Sequence, residues 1–209
     1  MAAVGIIAEF NPLHSGHAFL LNEAKKHGTV IAVISGDFVQ RGDIAIVEKR
    51  VRVKAALLCG ADLVLELPVA YSLSAAPNFA LGGVSALKAV GCDRLMFGSE
   101  SGNISELSRA LEILNNNKFP DKLSEFLDCG MTFAAAREKA AVSLGLKEGI
   151  LSGANNNLAI EYMLAAKNIG AEFEFLTVRR QGSGHDSPEA SGGYASASLI
   201  REKMLSGDC

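Results

Sequence analysis

The stretch that decides the fold lies near the N-terminus and reads GIIAEFNPLHSGHAFLL over residues 5–21. Its apolar start predicts a buried strand. Asn11-Pro12 ends that strand, because proline lacks an N–H group and disfavours helix in the residue before it. Apolar residues followed by polar ones then suit one face of a helix, which predicts an amphipathic helix from about Gly16 to Lys26. His14 and His17 therefore lie at a strand-to-helix turn.

The two histidines and the glycine between them predict a phosphate site. A helix N-terminus has unpaired main-chain N–H groups and the positive end of the helix dipole, so anions bind there. Gly16 lets a ligand approach the backbone, and His14 and His17 would donate hydrogen bonds to phosphate oxygens. A metal site is the weaker alternative, because the sequence has no H-E-x-x-H motif and a third ligand is needed. Asp37 or Asp43 would serve as that ligand.

Several other functional classes lack their motifs. The sequence has no G-x-x-x-x-G-K-[ST] loop, no G-x-G-x-x-G after the first strand and no G-x-S-x-G elbow. This argues against Walker-type nucleotide sites, dinucleotide sites and serine hydrolases. Apolar residues make up 49% of the 209, yet no segment approaches the roughly 20 consecutive apolar residues of a membrane helix. We expect a cytoplasmic protein without membrane contacts.

The overall charge does not favour a polyanionic partner. The net charge is −3, so binding to a nucleic acid would need a local basic surface. One run of residues supplies it, namely Lys49, Arg50, Arg52 and Lys54. A solvated helix face is the ordinary interpretation of such a run, and contacts to a nucleic-acid backbone are the alternative.

Strand and helix patterns alternate along the chain. Strands joined by helices pair in parallel with right-handed crossovers. We therefore expect an α/β fold with an open, doubly wound, mostly parallel sheet of five strands, in a single domain over residues 1–209. Helical patterns from about 101 to 154 predict an insertion after the fourth strand. The predicted strands are Val4–Ala8, Thr29–Ser35, Asp62–Glu66, Arg94–Phe97 and Glu172–Val178.

The predicted helices are separated by glycine, proline and asparagine. A glycine- and serine-rich loop over Gln181–Gly193 precedes the last of them. The predicted helices, with approximate bounds, are Gly16–Lys26, Val47–Cys59, Asn78 (or Pro77) to Val90, Ser105–Asn115, Lys122–Asp128, Thr132–Leu144, Asn156–Ile169 and Ser196–Leu205.

Ligands of doubly wound sheets bind beyond the carboxyl ends of the strands. The unusual polar residues fall at those ends, in Glu9–His17, Ser35–Arg41, Glu66–Pro68, Gly98–Glu100 and Arg179–Arg180. This convergence favours one site at one edge of the sheet.

The start of the last predicted helix, Ser196–Arg201, holds hydroxyl groups and an arginine. Taken alone, its serines predict a simple helix cap. Taken with the histidine turn, Ser198 and Arg201 predict a second contact to phosphate oxygens.

These residues resemble a known family. His14-Ser15-Gly16-His17 carries the H-x-G-H signature of adenylyltransferase-type nucleotidyltransferases, and Ser196–Arg201 is similar to their second signature. Longer motifs resemble the bacterial tRNA(Met) cytidine acetate ligase family, and the resemblance covers essentially the whole chain. Those motifs are Ser35–Gly42, Gly60–Pro68, Phe97–Glu100 and Asn155–Tyr162.

The resemblance implies a Rossmann-like sheet of the H-x-G-H nucleotidyltransferase type and a specific reaction. Members activate acetate with ATP as acetyl-adenylate and acetylate N4 of the wobble cytidine of elongator tRNA(Met), with Mg²⁺ accompanying the nucleotide. Ala154 departs from the family pattern, which has proline there, and family members continue past the equivalent of Cys209 into a region that helps to hold tRNA.

The resemblance also implies a set of site residues. For the implied reaction we expect His14, His17, Ser198 and Arg201 to act in catalysis. The basic run at Lys49, Arg50, Arg52 and Lys54 is a candidate for contacts to the tRNA backbone, as is the pair Arg179-Arg180. The implied ATP-binding residues are Ile7, Ala8, Glu9, Phe10, Asn11, Pro12, Leu13, His14, Ser15, Gly16, His17, Ala18, Phe19, Leu20, Gly98, Asn155, Arg179 and Arg180.

Two other functions share the same sheet and signatures. One is an adenylyl- or cytidylyltransferase that acts on a small phosphorylated metabolite. The other is a non-catalytic module that binds ATP. The sequence leaves the oligomeric state open.

Overall fold

The computed structural model describes residues 2–180 and 197–207. Five strands and nine helices alternate within this part of the chain. The strands are β1 (Ala3–Ala8), β2 (Thr29–Ser35), β3 (Leu63–Leu67), β4 (Arg94–Ser99) and β5 (Glu174–Arg179). The helices are α1 (Ser15–Lys25), α2 (Lys49–Leu58), α3 (Val69–Ser72), α4 (Ala76–Ala89), α5 (Ile104–Leu114), α6 (Phe119–Asp128), α7 (Phe133–Ser143), α8 (Ala154–Asn168) and α9 (Ala197–Ser206).

The strands form one sheet in the order β3-β2-β1-β4-β5, and all four pairings between them are parallel. Apolar residues of α1 and α2 pack on one face, and those of α4 to α8 pack on the other. The expected doubly wound α/β fold is confirmed, as are the helices inserted after the fourth strand. No helix in the described ranges is long and apolar enough to cross a membrane.

The two central strands separate towards their carboxyl ends. β1 pairs with β4 only at Val4–Arg94 and Gly5–Leu95. By contrast, the β1–β2 ladder continues to Ala8–Ile34. A crevice therefore opens between β1 and β4 at the point where the strand order reverses, which is where doubly wound sheets bind ligands.

Several element bounds differ from the sequence prediction. α6 begins at Phe119 rather than Lys122, because Pro120 lies in the first helical turn, where its missing N–H group has no consequence. The short α3 and a single 3₁₀ turn at Gln40–Gly42 were not expected. The predicted loop over 181–193 and residue 196, the predicted start of the last helix, lie outside the described residues.

Arg52 corrects one sequence prediction. It was expected to contact tRNA, but its side chain is only 1% exposed. Its guanidinium donates to the main-chain oxygens of Val47 at 2.9 Å, Glu9 at 2.8 Å and Ser35 at 2.9 Å, and to that of Gly36. Arg52 therefore joins α2 to the ends of β1 and β2 and does not face solvent.

We expect Arg52→Met to lower the free energy of unfolding by about 2–4 kcal/mol, because four buried or partly buried carbonyl groups lose a charged donor. Urea denaturation would measure the change. The matched control is Arg50→Met on the same helix, where the side chain is 88% exposed. It should change stability by less than about 0.5 kcal/mol. Equal losses in the two variants would contradict this role.

Candidate functional site

The histidine turn caps its own helix. His14 precedes α1 with extended backbone angles, and its Nδ1 accepts the main-chain N–H of Gly16 at 3.1 Å. In return, Nδ1 of His17 accepts the main-chain N–H of His14 at 3.4 Å. The pair forms a capping box in which histidines replace the usual serine and glutamate. Because both Nδ1 atoms accept hydrogen bonds, each neutral ring carries its proton on Nε2 and can donate it to a ligand.

Close packing fixes the orientation of the two rings. They stack with centroids 3.8 Å apart, and the ring of Phe10 lies edge-on to His17 at 5.0 Å. A Cβ atom at Gly16 would lie 3.0 Å from the ring of His14, so a side chain there would displace that ring. Phe10 has φ of 49°, a strained value for a bulky residue, and such strain is often found at functional sites.

Both histidines are neutral at physiological pH. Burial and the nearby Arg180 guanidinium lower the pKa of His14 to about 4. Burial lowers the pKa of His17 well below its ordinary value, and His14 and Arg180 lower it further. The two rings therefore act as uncharged hydrogen-bond donors, and the positive charge beside them belongs to arginine.

The last described helix docks on the histidine turn. Arg201 of α9 donates through Nη1 to the main-chain oxygen of the buried Asn11 at 2.9 Å, and through Nη2 to Oγ of Ser198 at 3.2 Å. The side chain of Asn11 accepts the main-chain N–H of Ile46 at 2.8 Å. The second signature thus contacts the turn that leads into the first, although 190 residues separate Arg201 from Asn11.

A second group of residues lies across the crevice, around Glu100. Its carboxylate accepts main-chain N–H groups of Asn155 at 3.0 Å and Asn156 at 2.6 Å, and so caps the N-terminus of α8. Burial raises the pKa of Glu100, but the hydrogen bonds from Asn155 and Asn156 outweigh burial, so its pKa lies below the ordinary value. The side chain of Asn155 donates to Glu100 at 2.6 Å and accepts from Nη1 of Arg180 at 2.7 Å.

The structure distinguishes the two adjacent arginines. Consecutive side chains of a strand point to opposite faces. Arg180 lies beside Gly98: a Cβ atom added at Gly98 would be 3.3 Å from Cγ of Arg180. The charge of Arg180 lowers the pKa of both histidines. Arg179 instead lies against Gly102, where a Cβ atom would be 2.5 Å from Cβ of Arg179. Only Arg180 therefore belongs to the group around the histidine turn.

The residues of the predicted nucleotide-binding run from Ile7 to Leu20 differ in their burial. Side chains of Ile7, Phe10 and Leu20 are buried in the core, and so are unavailable for direct contact with a nucleotide. Ser15 is exposed at the start of α1. The residues in between are partly buried, apart from the buried Asn11.

The metal alternative gains no support from the geometry. In the described ranges, no three His, Cys, Asp or Glu side chains are grouped so that they could hold a metal ion. Asp37, one of the two proposed third ligands, accepts the main-chain N–H of Lys49 at 3.3 Å.

The rest of the basic run lies on α2. Arg50 and Lys54 are exposed, whereas Nζ of Lys49 forms an ion pair with Glu66 at 2.9 Å. The structure therefore leaves two of the four predicted tRNA-contacting residues exposed.

Sequence reasoning assigned no role to Glu100 or Asn156. Asn156 accepts main-chain N–H groups of Glu100 and Ser101 at 3.0 and 3.1 Å, which ties the end of β4 to α8. Three consecutive asparagines at the start of a predicted helix were the available signal, because asparagine is a frequent N-cap. The partner across 55 residues could not be identified from local spacing.

Comparison with known proteins identifies the family. The family model described as HIGH Nucleotidyl Transferase matches residues 1–208. The chain belongs to the HIGH nucleotidyl transferase family. This HIGH nucleotidyl transferase chain is 46% identical, over 98% of its length, to the tRNA(Met) cytidine acetate ligase of Thermoanaerobacter sp. (strain X514), and 39% identical, over its whole length, to that of Syntrophotalea carbinolica.

Solved structures agree with the family assignment. The crystal structure of Thermotoga maritima TmcAL in an apo form matches 99% of this HIGH nucleotidyl transferase chain with a TM-score of 0.89 and 35% identity. A structure of the same protein bound to α-thio ATP matches it with a TM-score of 0.86 and 34% identity. The chain spans about half the length of these relatives, 52–53% of the two ligases and 51–52% of the crystallised chains.

The lowered pKa of His14 links stability to pH. Its pKa is about 4 in the folded chain against an ordinary 6.5, so protonation below pH 6.5 favours the unfolded chain. We expect the difference in unfolding free energy between the parent chain and His14→Asn to be largest above pH 6.5 and to fall as the pH drops towards 4. Chemical denaturation across this range would measure it.

His27→Asn is the matched control, at an exposed histidine outside the turn. This variant should keep the pH dependence of the parent chain. If His14→Asn and His27→Asn give the same pH profile, the ring of His14 is not the group that is held neutral.

Proposed function

We propose that this chain is the adenylating part of an ATP-dependent tRNA(Met) cytidine acetate ligase. It would activate acetate as acetyl-adenylate, from which the acetyl group passes to N4 of the wobble cytidine of elongator tRNA(Met). The observation that carries the proposal is the pair of stacked neutral histidines facing Arg180 across the crevice. The names of the similar proteins and the α-thio ATP in one of them support the choice of substrates.

In the proposed first step, an oxygen of the acetate carboxylate attacks the α-phosphorus of ATP in line. A bond forms between that oxygen and phosphorus, and the bond from phosphorus to the bridging oxygen breaks, which releases pyrophosphate. Negative charge grows on the phosphate oxygens. His14 and His17 would stabilise it through their Nε2–H groups, assisted by the N-terminus of α1.

Two arginines would hold the ends of the triphosphate. Arg180 is held by Asn155 at 2.7 Å and lies near the histidines, so it suits the charge at the reacting phosphate. Arg201 and Ser198 lie on the other side of the turn and suit the β- and γ-phosphates. Because the histidines are neutral, they add directional donors without adding charge.

Magnesium would accompany the nucleotide. The described residues offer no group of three acidic, histidine or cysteine side chains for a resident ion. We propose that phosphate oxygens and water supply most of its ligands, as is common for Mg²⁺ in nucleotide-dependent enzymes.

In the second step, the amine of cytidine attacks the carbonyl carbon of acetyl-adenylate, AMP leaves and the amine loses a proton. No protein nucleophile is needed, because the acyl phosphate is already activated.

We propose that Arg50 and Lys54 on α2, with Lys49 beside them, contact the tRNA backbone. An enzyme that acts on tRNA in this way would work in the cytoplasm, and we propose that residues 1–209 form one nucleotidyltransferase domain.

We expect His17→Ala to reduce acetate-dependent exchange between ATP and pyrophosphate by about 10²–10³-fold, the usual loss when a positioned donor to a developing negative charge is removed. Radiolabelled pyrophosphate would follow the exchange without tRNA. The matched control is His27→Ala, which should retain the activity of the parent chain. Near-parental exchange in His17→Ala would overturn the role of this histidine.

The same assay separates the competing functions. Exchange that needs a phosphorylated metabolite instead of acetate would favour a metabolite adenylyltransferase. ATP binding without any exchange would favour a non-catalytic module.

We expect Arg180→Gln to weaken ATP binding by about 10- to 100-fold, because a charge-assisted hydrogen bond is worth about 1.5–3 kcal/mol. Arg179→Gln is the matched control, since it removes the same charge one residue earlier on the other face of the strand. It should change the dissociation constant by less than about threefold. Isothermal titration calorimetry would measure both. Equal increases in the dissociation constant would show that the two arginines contribute only to the overall electrostatic attraction of ATP.

A further inference from the structure

Three buried polar groups lie at the carboxyl end of the sheet without a hydrogen-bond partner in the described chain. They are Oγ of Ser35, Nε2 of Gln40 and the hydroxyl of Tyr162. Ser35 and Tyr162 are 0% and 2% exposed. An unpaired buried polar group is costly, so native proteins rarely keep one without a reason. All three atoms can donate a hydrogen bond, which indicates that this region is built to receive an acceptor.

The three residues lie close to Glu9. Ile7 and Val33 are register partners on β1 and β2, and both belong to the core cluster that contains Phe97 and Tyr162. Because side chains alternate along a strand, Glu9 and Ser35, two residues further on, continue on the same face. The main-chain N–H of Gln40 donates to Oε1 of Glu9 at 2.8 Å.

Tyr162 completes the group from α8. Its ring lies 6.1 Å from that of Phe97. Burial raises the pKa of Tyr162, and the nearby charge of Glu9 raises it further, so the phenol stays protonated and remains a donor.

The charge around this group suits an anion. The guanidinium of Arg52 donates to the main-chain oxygens of Glu9 and Ser35 at 2.8 and 2.9 Å. Its hydrogen bonds go to carbonyl groups, so its full positive charge remains at the ends of β1 and β2. That charge offsets the carboxylate of Glu9, which would otherwise repel an anionic ligand.

The main chain joins this group to the histidine turn. Glu9 directly precedes Phe10, whose ring contacts His17 at 5.0 Å. A ligand held by Ser35, Gln40 and Tyr162 would lie on the face of the sheet opposite α1, at the residue that directly precedes the ring packed on His17.

We propose that Ser35, Gln40 and Tyr162 form the subsite that binds the carboxylate of the acyl substrate. The inference rests on the proposed function and adds residues that bind the second substrate. The ligand is a small aliphatic carboxylate, because three donors match its oxygen atoms and the apolar residues Ile7 and Phe97 line the same face.

We expect Tyr162→Phe to raise the KM for acetate in ATP–pyrophosphate exchange by about 10- to 100-fold, because one hydrogen bond to a charged group is lost. The KM for ATP should change less than about threefold. Ser35→Ala is the second variant, with the same expected pattern. Tyr71→Phe is the matched control, since this tyrosine of α3 is 37% exposed and packs at Gly82 of α4, and it should leave both constants unchanged.

Thermal unfolding without acetate provides a second measurement. Removing a buried hydroxyl that has no partner should leave the Tm of Tyr162→Phe equal to or above that of the parent chain. A lower Tm would mean that the hydroxyl supports the folded chain, and it would overturn the assignment.

Each kinetic outcome has one interpretation. A raised KM for acetate alone supports the subsite. An unchanged KM for acetate in both Tyr162→Phe and Ser35→Ala overturns it, and the three donors would then bind only structural water. If the parent chain shows no acetate-dependent exchange although it binds ATP, the proposed function fails, and the subsite fails with it.

Discussion

The site depends on a ladder of only two residue pairs. β1 and β4 are hydrogen-bonded at Val4–Arg94 and Gly5–Leu95 and then separate, while each keeps its full pairing with its outer neighbour. The separation leaves main chain and side chains at both carboxyl ends available to a ligand. A fully paired centre would place β4 where the nucleotide is proposed to lie.

At the crevice, different residues supply the positive charge and the uncharged, directional hydrogen-bond donors. The histidines are held neutral by burial and by the neighbouring Arg180, and their Nδ1 atoms are occupied by main-chain N–H groups. Positive charge comes from Arg180 and Arg201, which are themselves held by Asn155 and Asn11. A chain with a net charge of −3 can in this way present a locally positive site.

Local patterns were sufficient for most of the secondary structure. β2 has the bounds that its β-branched run predicts, and α5 and α7 begin within one residue of expectation. The prediction failed where one residue type has two structural uses. Pro120 was interpreted as a break, although it lies in the first turn of α6. Arg52 was interpreted as part of a solvated run, although it belongs to the buried side of α2 with Ala56, one helical turn later.

The sequence alone determined the succession of strands and helices along the chain and the place of His14 and His17 at a helix start. Through its motifs it also determined the family. These features depend on residues within about ten positions of one another, where periodicity and turn chemistry act. Only the tertiary structure decided that Arg180 rather than Arg179 faces the histidines, that Arg52 is buried, and that Ser35, Gln40 and Tyr162 lie close to Glu9. Those placements depend on contacts between distant segments, which the strand order and the twofold alternation of side chains bring together. Local spacing contains no information about which strands become neighbours.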